Sequence, residues 1–303
     1  MTAAGSPRSA LVSRAIVTVL TAGGFAAFCW ADATGLLGAP PAWWLAPVAA
    51  LLGWCGAAEA VRLAAARGHD LDGRLLPPAT ALVPIAAAAA ATVADGPAAI
   101  VGWAAVATFI ALGAMLTVEV ARYRPAGGGL VRVAGGFFVV AAVGMPLAFM
   151  VGLRLLGGPR GLVGMLPLVS MVAVVKGGDI AAYVVGSLVG RHKLAPLVSP
   201  GKTWEGAAAS VAASLVVAWL VLGWSAQAGG GQPWGGWPVY GLAVGVAGML
   251  GDLSESLVKR ELGAKDSGRS LGGLGGVLDL VDATLLAAPV AWLAWVFGGP
   301  SAA

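Results

Sequence analysis

The chain has 303 residues, of which 59% are hydrophobic and 11% are charged, and its formal net charge is +4. Soluble domains are about 45–50% apolar and about 25% charged, so this composition excludes a soluble multidomain protein and indicates a polytopic membrane protein. Cys29 and Cys55 lie in or beside apolar runs, and His69 and His192 fall in separate predicted loops, so neither pair suggests a disulfide or a metal site.

Apolar runs of about 20 residues are long enough to cross the roughly 30 Å hydrocarbon core of a bilayer. The sequence predicts about nine such spans and an all-α fold. The first run is expected to be retained as a span, because no A-x-A cleavage site follows it. The sixth run is long and contains polar residues, so it is either broken or extends into the cytosol. The predicted spans are residues 15–31, 43–63, 75–94, 97–118, 136–156, 162–190, 207–225, 239–258 and 281–298.

The positive charges are biased toward one side of these spans. With the N-terminus in the cytosol, fifteen of the eighteen Lys and Arg residues fall in cytosolic segments, and only Arg154 and Arg160 fall on the opposite side. This bias predicts nine spans with the N-terminus inside and the C-terminus outside, in a membrane that we expect to be the bacterial inner membrane. We divide the chain into residues 1–160, with spans one to five, and residues 161–303, with spans six to nine and the polar clusters described next.

The first polar cluster lies inside the sixth span. Lys176 and Asp179 are three positions apart and therefore share a helix face. Ionisable residues inside a membrane span more often mark a functional site than not. The alternative interpretation is a buried ion pair that fixes helix packing.

The second cluster follows that span, in residues 199–206, SPGKTWEG. Ser199, Lys202 and Thr203 could bind phosphate, and Gly201 would let the backbone come close to it. The pattern is not a Walker A loop, which requires GxxxxGK[ST] after a strand. The alternative is a basic cytosolic turn with Glu205 capping the next helix.

The third cluster, residues 252–282, contains ten charged residues. Asp252, Ser256 and Lys259 share one helix face, while Asp279 and Asp282 open the ninth span, where a helix N-terminus favours anions. Carboxylates from two helices with cations between them are what a magnesium–triphosphate site requires. A charged cytosolic loop would explain the cations but not the carboxylates at the span ends. The intervening loop supplies Arg260, Lys265, Arg269, Gly272, Gly273, Gly275 and Gly276.

Residues 256–268, SLVKRELGAKDSG, resemble the signature of the phosphatidate cytidylyltransferases, or CDP-diacylglycerol synthases. That signature is S-x-x-K-R-x4-K-D, then a glycine turn, then H-G-G-x-x-D-R-x-D. SPGKTWEG is similar to the family's S-P-K-K-T-x-E-G, and KGGDIAAYVVGSLVGRHKLAP looks like the stretch before it. GAAEAVRLAAARG, residues 56–68, resembles a weaker family feature. The chain departs from the pattern at Leu274 and Leu280, which replace the family's His and Arg.

The resemblance implies that the chain joins CTP and phosphatidate into CDP-diacylglycerol and pyrophosphate, at a membrane surface facing the cytoplasm. It implies Mg²⁺ as cofactor, held by Asp252 and Asp279, with a second metal ion left open. The implied catalytic residues are Asp252, Lys259, Arg260, Lys265, Asp266, Asp279 and Asp282. The implied substrate-binding residues are Lys176, Asp179, Ser199, Lys202, Thr203, Ser256, Gly275 and Gly276.

The expected partners are CTP, phosphatidate and the surrounding lipid, with no nucleic acid, and a homodimer is left open. Two alternatives stay open at this point. One is a CTP-dependent enzyme that acts on a polyprenol or ether-lipid phosphate. The other is a transporter for a phosphorylated solute, with Lys176 and Asp179 midway in the bilayer.

Overall fold

The computed structural model describes residues 23–94, 96–123, 127–158, 161–227, 231–264, 267–268 and 275–298. These residues are predominantly helical, which confirms the predicted all-α membrane fold. A two-stranded antiparallel hairpin is the exception, and the sequence did not predict it. In chain order the elements are α1 (residues 23–34), α2 (Leu45–Ala65), α3 (Leu76–Val93), α4 (Pro97–Ala121), α5 (Gly129–Val139), α6 (Met145–Leu156), α7 (Leu162–Val189), β1 (Lys193–Ala195), β2 (Ser199–Thr203), α8 (Trp204–Gln227), α9 (Gly236–Glu261) and α10 (Val277–Gly298).

Within the described part of the chain, eight helical segments are long and apolar enough to cross a membrane. They correspond to predicted spans two to nine, and the largest difference is in the fifth, where the helix begins at Gly129 instead of residue 136. Only part of the first predicted span is described, as helix α1. The total of nine spans and their orientation therefore stay predictions.

The fifth and sixth spans differ in continuity. Helices α5 and α6 are joined by a single π-helical turn, Val140–Gly144, just before Pro146. Proline has no N–H to donate to the preceding turn, and a wider turn accommodates that loss. Helix α7 is continuous over 28 residues even though it contains Pro167. At 1.5 Å per residue it is about 42 Å long, which exceeds a roughly 30 Å hydrocarbon core, so of the two predicted possibilities the break does not occur.

Close helix contacts hold the C-terminal bundle of α7, α8, α9 and α10 together. A Cβ atom at Gly178 would lie 2.8 Å from the hydroxyls of Ser210 and Ser214, so α7 and α8 touch through a residue with no side chain. A Cβ atom at Gly251 would lie 2.7 Å from the carbonyl oxygen of Asp282, so α9 and α10 meet equally closely. Small residues allow such approaches between membrane helices. The second contact brings the polar ends of α9 and α10 together.

A buried ion pair lies at the other end of the bundle. The side chains of Asp32 and Arg154 are fully buried, and the Arg154 guanidinium donates to the Asp32 carboxylate. Asp32 also accepts the amide N–H of Ala42 at 3.0 Å, and Arg154 donates to the carbonyl of Gly158 at 3.0 Å. The pair therefore fastens α1 and the segment after it to the end of α6.

Candidate active site

Three carboxylates gather where α9 and α10 meet. Asp252 and Glu255 lie three positions apart on α9, and Asp282 lies near the start of α10. One ligand oxygen from each lies within 4.8 Å of the others. Hard divalent cations such as Mg²⁺ and Ca²⁺ bind carboxylate oxygens in groups of this kind. Among the described residues, the buried Oε1 atom of Glu255 accepts no hydrogen bond, so the donor set has an oxygen available for a cation.

Three lysines from different elements surround these carboxylates. The Nζ atom of Lys202, on β2, lies 2.9 Å from Asp252. That of Lys259, on α9, lies 2.7 Å from Glu255 and 2.7 Å from Asp279. That of Lys176, on α7, lies 3.5 Å from Asp179 and donates to the carbonyl of Leu280 at 3.3 Å. The predicted first, second and third clusters therefore form one site.

The contacts of Lys202 with Asp252 and of Lys259 with Glu255 are ion pairs by distance, but they lack the directions of hydrogen bonds. The Nζ atom of Lys202 and both oxygens of Glu255 have no hydrogen-bond partner among the residues that the structure describes. Their mutual attraction is therefore electrostatic and undirected. The Lys202 ammonium can therefore turn toward a phosphate oxygen without breaking a hydrogen bond to a described residue, whereas Lys259 is held by its hydrogen bond to Asp279.

Directed hydrogen bonds hold Asp279 in place. Its carboxylate accepts hydrogen bonds from Lys259 Nζ at 2.7 Å and from the amides of Gly276 at 2.7 Å and Ser267 at 3.1 Å. It is not one of the three grouped carboxylates. A Cβ atom at Gly275, which has φ +88°, would collide with this carboxylate. Asp279 thus fixes Lys259 and the chain before α10, and its assignment as a metal ligand stays a prediction that the geometry does not favour.

The N-terminal half contributes a fully buried carboxylate at this end of the bundle. Glu59, on α2, accepts the amide N–H groups of Val277 at 3.0 Å and Leu278 at 3.1 Å and the hydroxyl of Ser267 at 3.3 Å. It therefore caps the N-terminus of α10 from a distant part of the chain. The neighbouring Arg67 guanidinium lies where a Cβ atom of Gly263 would be. Glu59 thus holds the start of α10, and Arg67 packs against the turn that follows α9.

The hairpin positions Lys202 but uses its neighbours structurally. Thr203 is buried, and its hydroxyl accepts the amide N–H of Gly206 at 3.2 Å, so it caps α8 instead of facing the carboxylates. Arg260 donates to the carbonyl of Val198 at 3.1 Å and so ties the hairpin to α9. Glu205, which the sequence suggested as a cap, accepts from the His192 ring at 2.7 Å. Phosphate binding by Thr203 and Arg260 stays a prediction.

The comparison with protein families is decisive for this arrangement. The model of the cytidylyltransferase family matches residues 12–297 of the chain. This chain belongs to the cytidylyltransferase family. The carboxylates and lysines of the site all fall inside the matched region.

Among the similar curated proteins, two carry a more specific name than the family and a third is uncharacterized. A phosphatidate cytidylyltransferase of Brucella suis biovar 1 (strain 1330) is 42% identical over 130 residues, which are 43% of this chain and 47% of that protein. One of Mycobacterium leprae (strain TN) is 43% identical over 122 residues, which are 40% of this chain and 38% of that protein. An uncharacterized Escherichia coli K12 protein, YnbB, is 36% identical over 127 residues, covering 42% of this chain and 41% of that protein. The aligned part spans less than half the length of each relative.

Some predicted family residues lie outside the described part of the chain, namely Lys265, Asp266 and Leu274. Ser256 is half-buried on α9, and Ser199 pairs with Ala195 in the hairpin. Sequence reasoning missed Glu255, although its spacing of three from Asp252 places both on one helix face. It also passed over Glu59, a single acid in an apolar span, which is a signal in itself.

Proposed function

We propose that this chain is a phosphatidate cytidylyltransferase, which transfers the cytidylyl group of CTP to phosphatidate. The observation that carries the proposal is the group of Asp252, Glu255 and Asp282 at the meeting point of α9 and α10, ringed by lysines from three elements. The names of the relatives from Brucella and Mycobacterium support the choice of acceptor. Membership of the cytidylyltransferase family supports the choice of donor.

In the proposed reaction, a phosphate oxygen of phosphatidate attacks the α-phosphorus of CTP. One P–O bond forms to the lipid phosphate, and the phosphoanhydride bond between the α- and β-phosphates breaks. Pyrophosphate leaves with the electron pair, and CDP-diacylglycerol remains in the membrane. No covalent intermediate with the protein is required, so catalysis consists of positioning and charge neutralisation.

The donor set fits a magnesium ion. We assign Asp252, Glu255 and Asp282 to hold it, because their oxygens converge. In addition, Glu255 has an oxygen that accepts no hydrogen bond from the described residues. When bound, such an ion neutralises phosphate charge and orients the phosphates. This assignment keeps the predicted ligand Asp252 but replaces Asp279 by Asp282 and Glu255. A second metal ion stays open.

The lysines take the role of phosphate contacts in this proposal. Lys202 lies beside Asp252 in an undirected ion pair and can turn toward the triphosphate, and Lys259 offers its remaining N–H groups from a fixed position. Asp279 keeps Lys259 in place through its hydrogen bond. The ammonium groups offset the negative charge that the two phosphorylated substrates bring together.

Lys176 accounts for one departure from the family pattern. Where that pattern has Arg, this chain has Leu280, and the Lys176 ammonium donates to the Leu280 carbonyl from the neighbouring helix. We propose that Lys176 supplies the positive charge at this point of the site. Lys176→Met should then lower turnover strongly, and Leu280→Arg introduced into that variant should restore a large part of it. Loss of turnover without any recovery, in a protein that unfolds at the parental temperature, would contradict this role.

The proposed setting is a bacterial inner membrane with the site facing the cytoplasm. Phosphatidate would enter sideways from the bilayer, and CTP would arrive from the cytosol. Ser199, Ser256, Gly275, Gly276 and Asp179 surround this route in the proposal, and Lys265 and Asp266 join it from outside the described residues. The homodimer stays a prediction, because the structure describes a single chain.

The test is incorporation of radiolabelled CTP into lipid by the purified protein in nanodiscs. Phosphatidate, a polyprenyl phosphate and an ether-lipid phosphate are offered separately, with Mg²⁺ present. We expect labelled CDP-diacylglycerol and equimolar pyrophosphate with phosphatidate. Label transferred only to another lipid would change the acceptor but keep the reaction, whereas no transfer to any lipid by folded protein would refute the proposal and leave the transporter interpretation.

That assay needs two variants. Asp282→Asn removes one assigned ligand charge and should reduce incorporation by at least a factor of about 100. Lys193→Gln changes an exposed residue of β1 and serves as the control, with turnover expected within a factor of a few of the parent. Equal activity of both variants would contradict the assigned site.

A further inference from the structure

A cavity lies at the ends of three spans, and its lining includes none of the carboxylates of α9 and α10. Its volume is about 650 Å³, which is within the usual range of ligand sites. It opens where α3 begins, α4 ends and α5 begins. The lining combines an apolar floor with a charged rim, and the floor includes Leu75, Leu76, Met115, Val118 and Val133.

Two ion pairs use up part of the rim. Arg132 donates to the Glu119 carboxylate through Nε at 2.9 Å and also through Nη2, so both groups are occupied. Arg122 donates through Nη1 to Asp72 at 2.7 Å, and the other Asp72 oxygen accepts two backbone amides of its own loop. Within the described part of the chain, no other hydrogen bond of the Arg122 guanidinium is present, and its side chain is exposed.

The rim keeps one acid and one hydroxyl available. No hydrogen bond of the Asp70 carboxylate is present among the described residues, and Asp70 is exposed beside the charge of Arg132. Tyr123 is 75% exposed next to Arg122. Three acids against two arginines leave the rim with one excess negative charge. The available groups are thus an acceptor for a cation and, next to it, donors for an anion.

The surroundings indicate that the occupant has an apolar body. Leu116, Val120 and Leu130 lie within two sequence positions of lining residues and are exposed on α4 and α5. Span ends are at the depth where lipid headgroups meet water. We propose that this cavity binds the headgroup of a zwitterionic aminophospholipid, with its ammonium at Asp70, its phosphate at Arg122 and Tyr123, and its glycerol and acyl carbons on the apolar floor.

The experiment measures which lipids stay on the purified protein. The protein in nanodiscs that contain equal parts of phosphatidylethanolamine and phosphatidylglycerol is released into detergent, and retained lipids are counted by native mass spectrometry. We expect enrichment of phosphatidylethanolamine over phosphatidylglycerol. Asp70→Asn should lower that preference about three- to tenfold. Arg122→Gln removes a donor for the phosphate that both lipids share, so it should lower retention of both lipids and leave the preference unchanged.

Arg74→Gln is the matched control, because Arg74 is on the same loop and does not line the cavity. It should retain the parental preference. Equal retention of both lipids by the parent, or a preference that Asp70→Asn leaves unchanged, would refute the proposal. Soluble glycerophosphoethanolamine, which lacks acyl chains, tests the contribution of the apolar floor. If it displaces the lipid at equal concentration, the site binds a soluble headgroup and the lipid assignment is wrong.

Discussion

The two ends of the helical bundle differ in how their charged groups are paired. At one end, Asp32 and Arg154 form a fully buried pair, with additional hydrogen bonds to the backbone. At the other end, Asp252, Glu255 and Asp282 converge, and their lysine partners approach without hydrogen-bond directions. Charges that are paired and hydrogen-bonded inside a protein fix its structure. Charges that are gathered and only loosely paired are suited to bind a ligand of mixed charge.

This comparison also separates two kinds of acid at the active end. Asp279 and Glu59 accept several directed hydrogen bonds each, from the chain before α10 and from Lys259. They behave like the Asp32 pair, although they lie near the site. Proximity to the site is therefore a weaker guide to a ligand role than the number of hydrogen bonds a carboxylate already accepts.

The largest effect on stability is expected from breaking the buried ion pair of Asp32 and Arg154. Arg154→Leu leaves Asp32 buried without its cation, which should destabilise the protein by about 3–5 kcal/mol. Thermal unfolding in detergent measures this, and the folded fraction should keep parental turnover within a few fold. The double variant Asp32→Leu/Arg154→Leu should recover much of the stability, because no unpaired charge remains. If Arg154→Leu unfolds at the parental temperature, the buried ion pair does not stabilise the protein.

Asp252→Asn should show the reverse pattern. Turnover should fall by a factor of about 100 to 1,000, equivalent to about 3–4 kcal/mol, because a charge that serves the transition state is lost. The unfolding temperature should change little, since the relief of repulsion from Glu255 and Asp282 offsets the weakened ion pair with Lys202. Lys193→Gln provides the baseline for both measurements. A fall in stability that parallels the fall in turnover would place Asp252 with the structural acids.

Glu255 and Asp279 distinguish the assigned ligand set from the one that the sequence implied. Glu255→Gln should raise the Mg²⁺ concentration for half-maximal turnover at least about tenfold. Loss of a residue that only hydrogen-bonds to a metal ligand already lowers metal affinity by about that factor. Asp279→Asn should lower turnover through Lys259 while leaving the Mg²⁺ dependence unchanged. Titrations of activity with Mg²⁺ measure both. A shift for Asp279→Asn and none for Glu255→Gln would restore the sequence-based assignment.

The spans were predictable from the sequence, and the convergence of the three carboxylates was only partly so. Hydropathy is a local property, so predicted spans two to nine coincide with the helices that the structure describes. The convergence of Asp252 with Asp282 depends on the close contact at Gly251, which no local pattern shows. The pairing of Asp32 with Arg154 joins residues 122 positions apart, and Glu59 reaches α10 across more than 200 positions. Such contacts follow from packing alone.

Glu59→Gln should have a smaller effect than loss of the buried ion pair. The amide keeps the size of the carboxylate but loses one acceptor and the charge that favours the N-terminus of α10, at a cost of about 1–2 kcal/mol. Thermal unfolding measures it. Glu261→Gln, at an exposed position at the end of α9, is the control and should leave stability unchanged within about 0.5 kcal/mol. Equal effects of the two variants would mean that Glu59 does not cap α10.

The smallest expected effect concerns Asp72, which lies between the two extremes. Its partial burial alone would raise the pKa of the carboxyl group, but hydrogen bonds from the amides of Arg74 and Leu75 and from Arg122 outweigh burial and hold the pKa below its ordinary value of 3.8. Folding therefore favours the ionised form. The resulting stabilisation is fully present above about pH 4 and is lost as the pH falls through the lowered pKa.

Because Arg122 is 61% exposed, the pair should contribute no more than about 1 kcal/mol at neutral pH. Asp72→Asn should consequently unfold at a slightly lower temperature than the parent at pH 7, and the difference should shrink as the pH falls below 4. Glu261→Gln, at an exposed position at the end of α9, is again the control. A difference between parent and Asp72→Asn that grows toward low pH would have the wrong sign for a hydrogen-bonded carboxylate. It would then group Asp72 with the loosely paired acids of the active end.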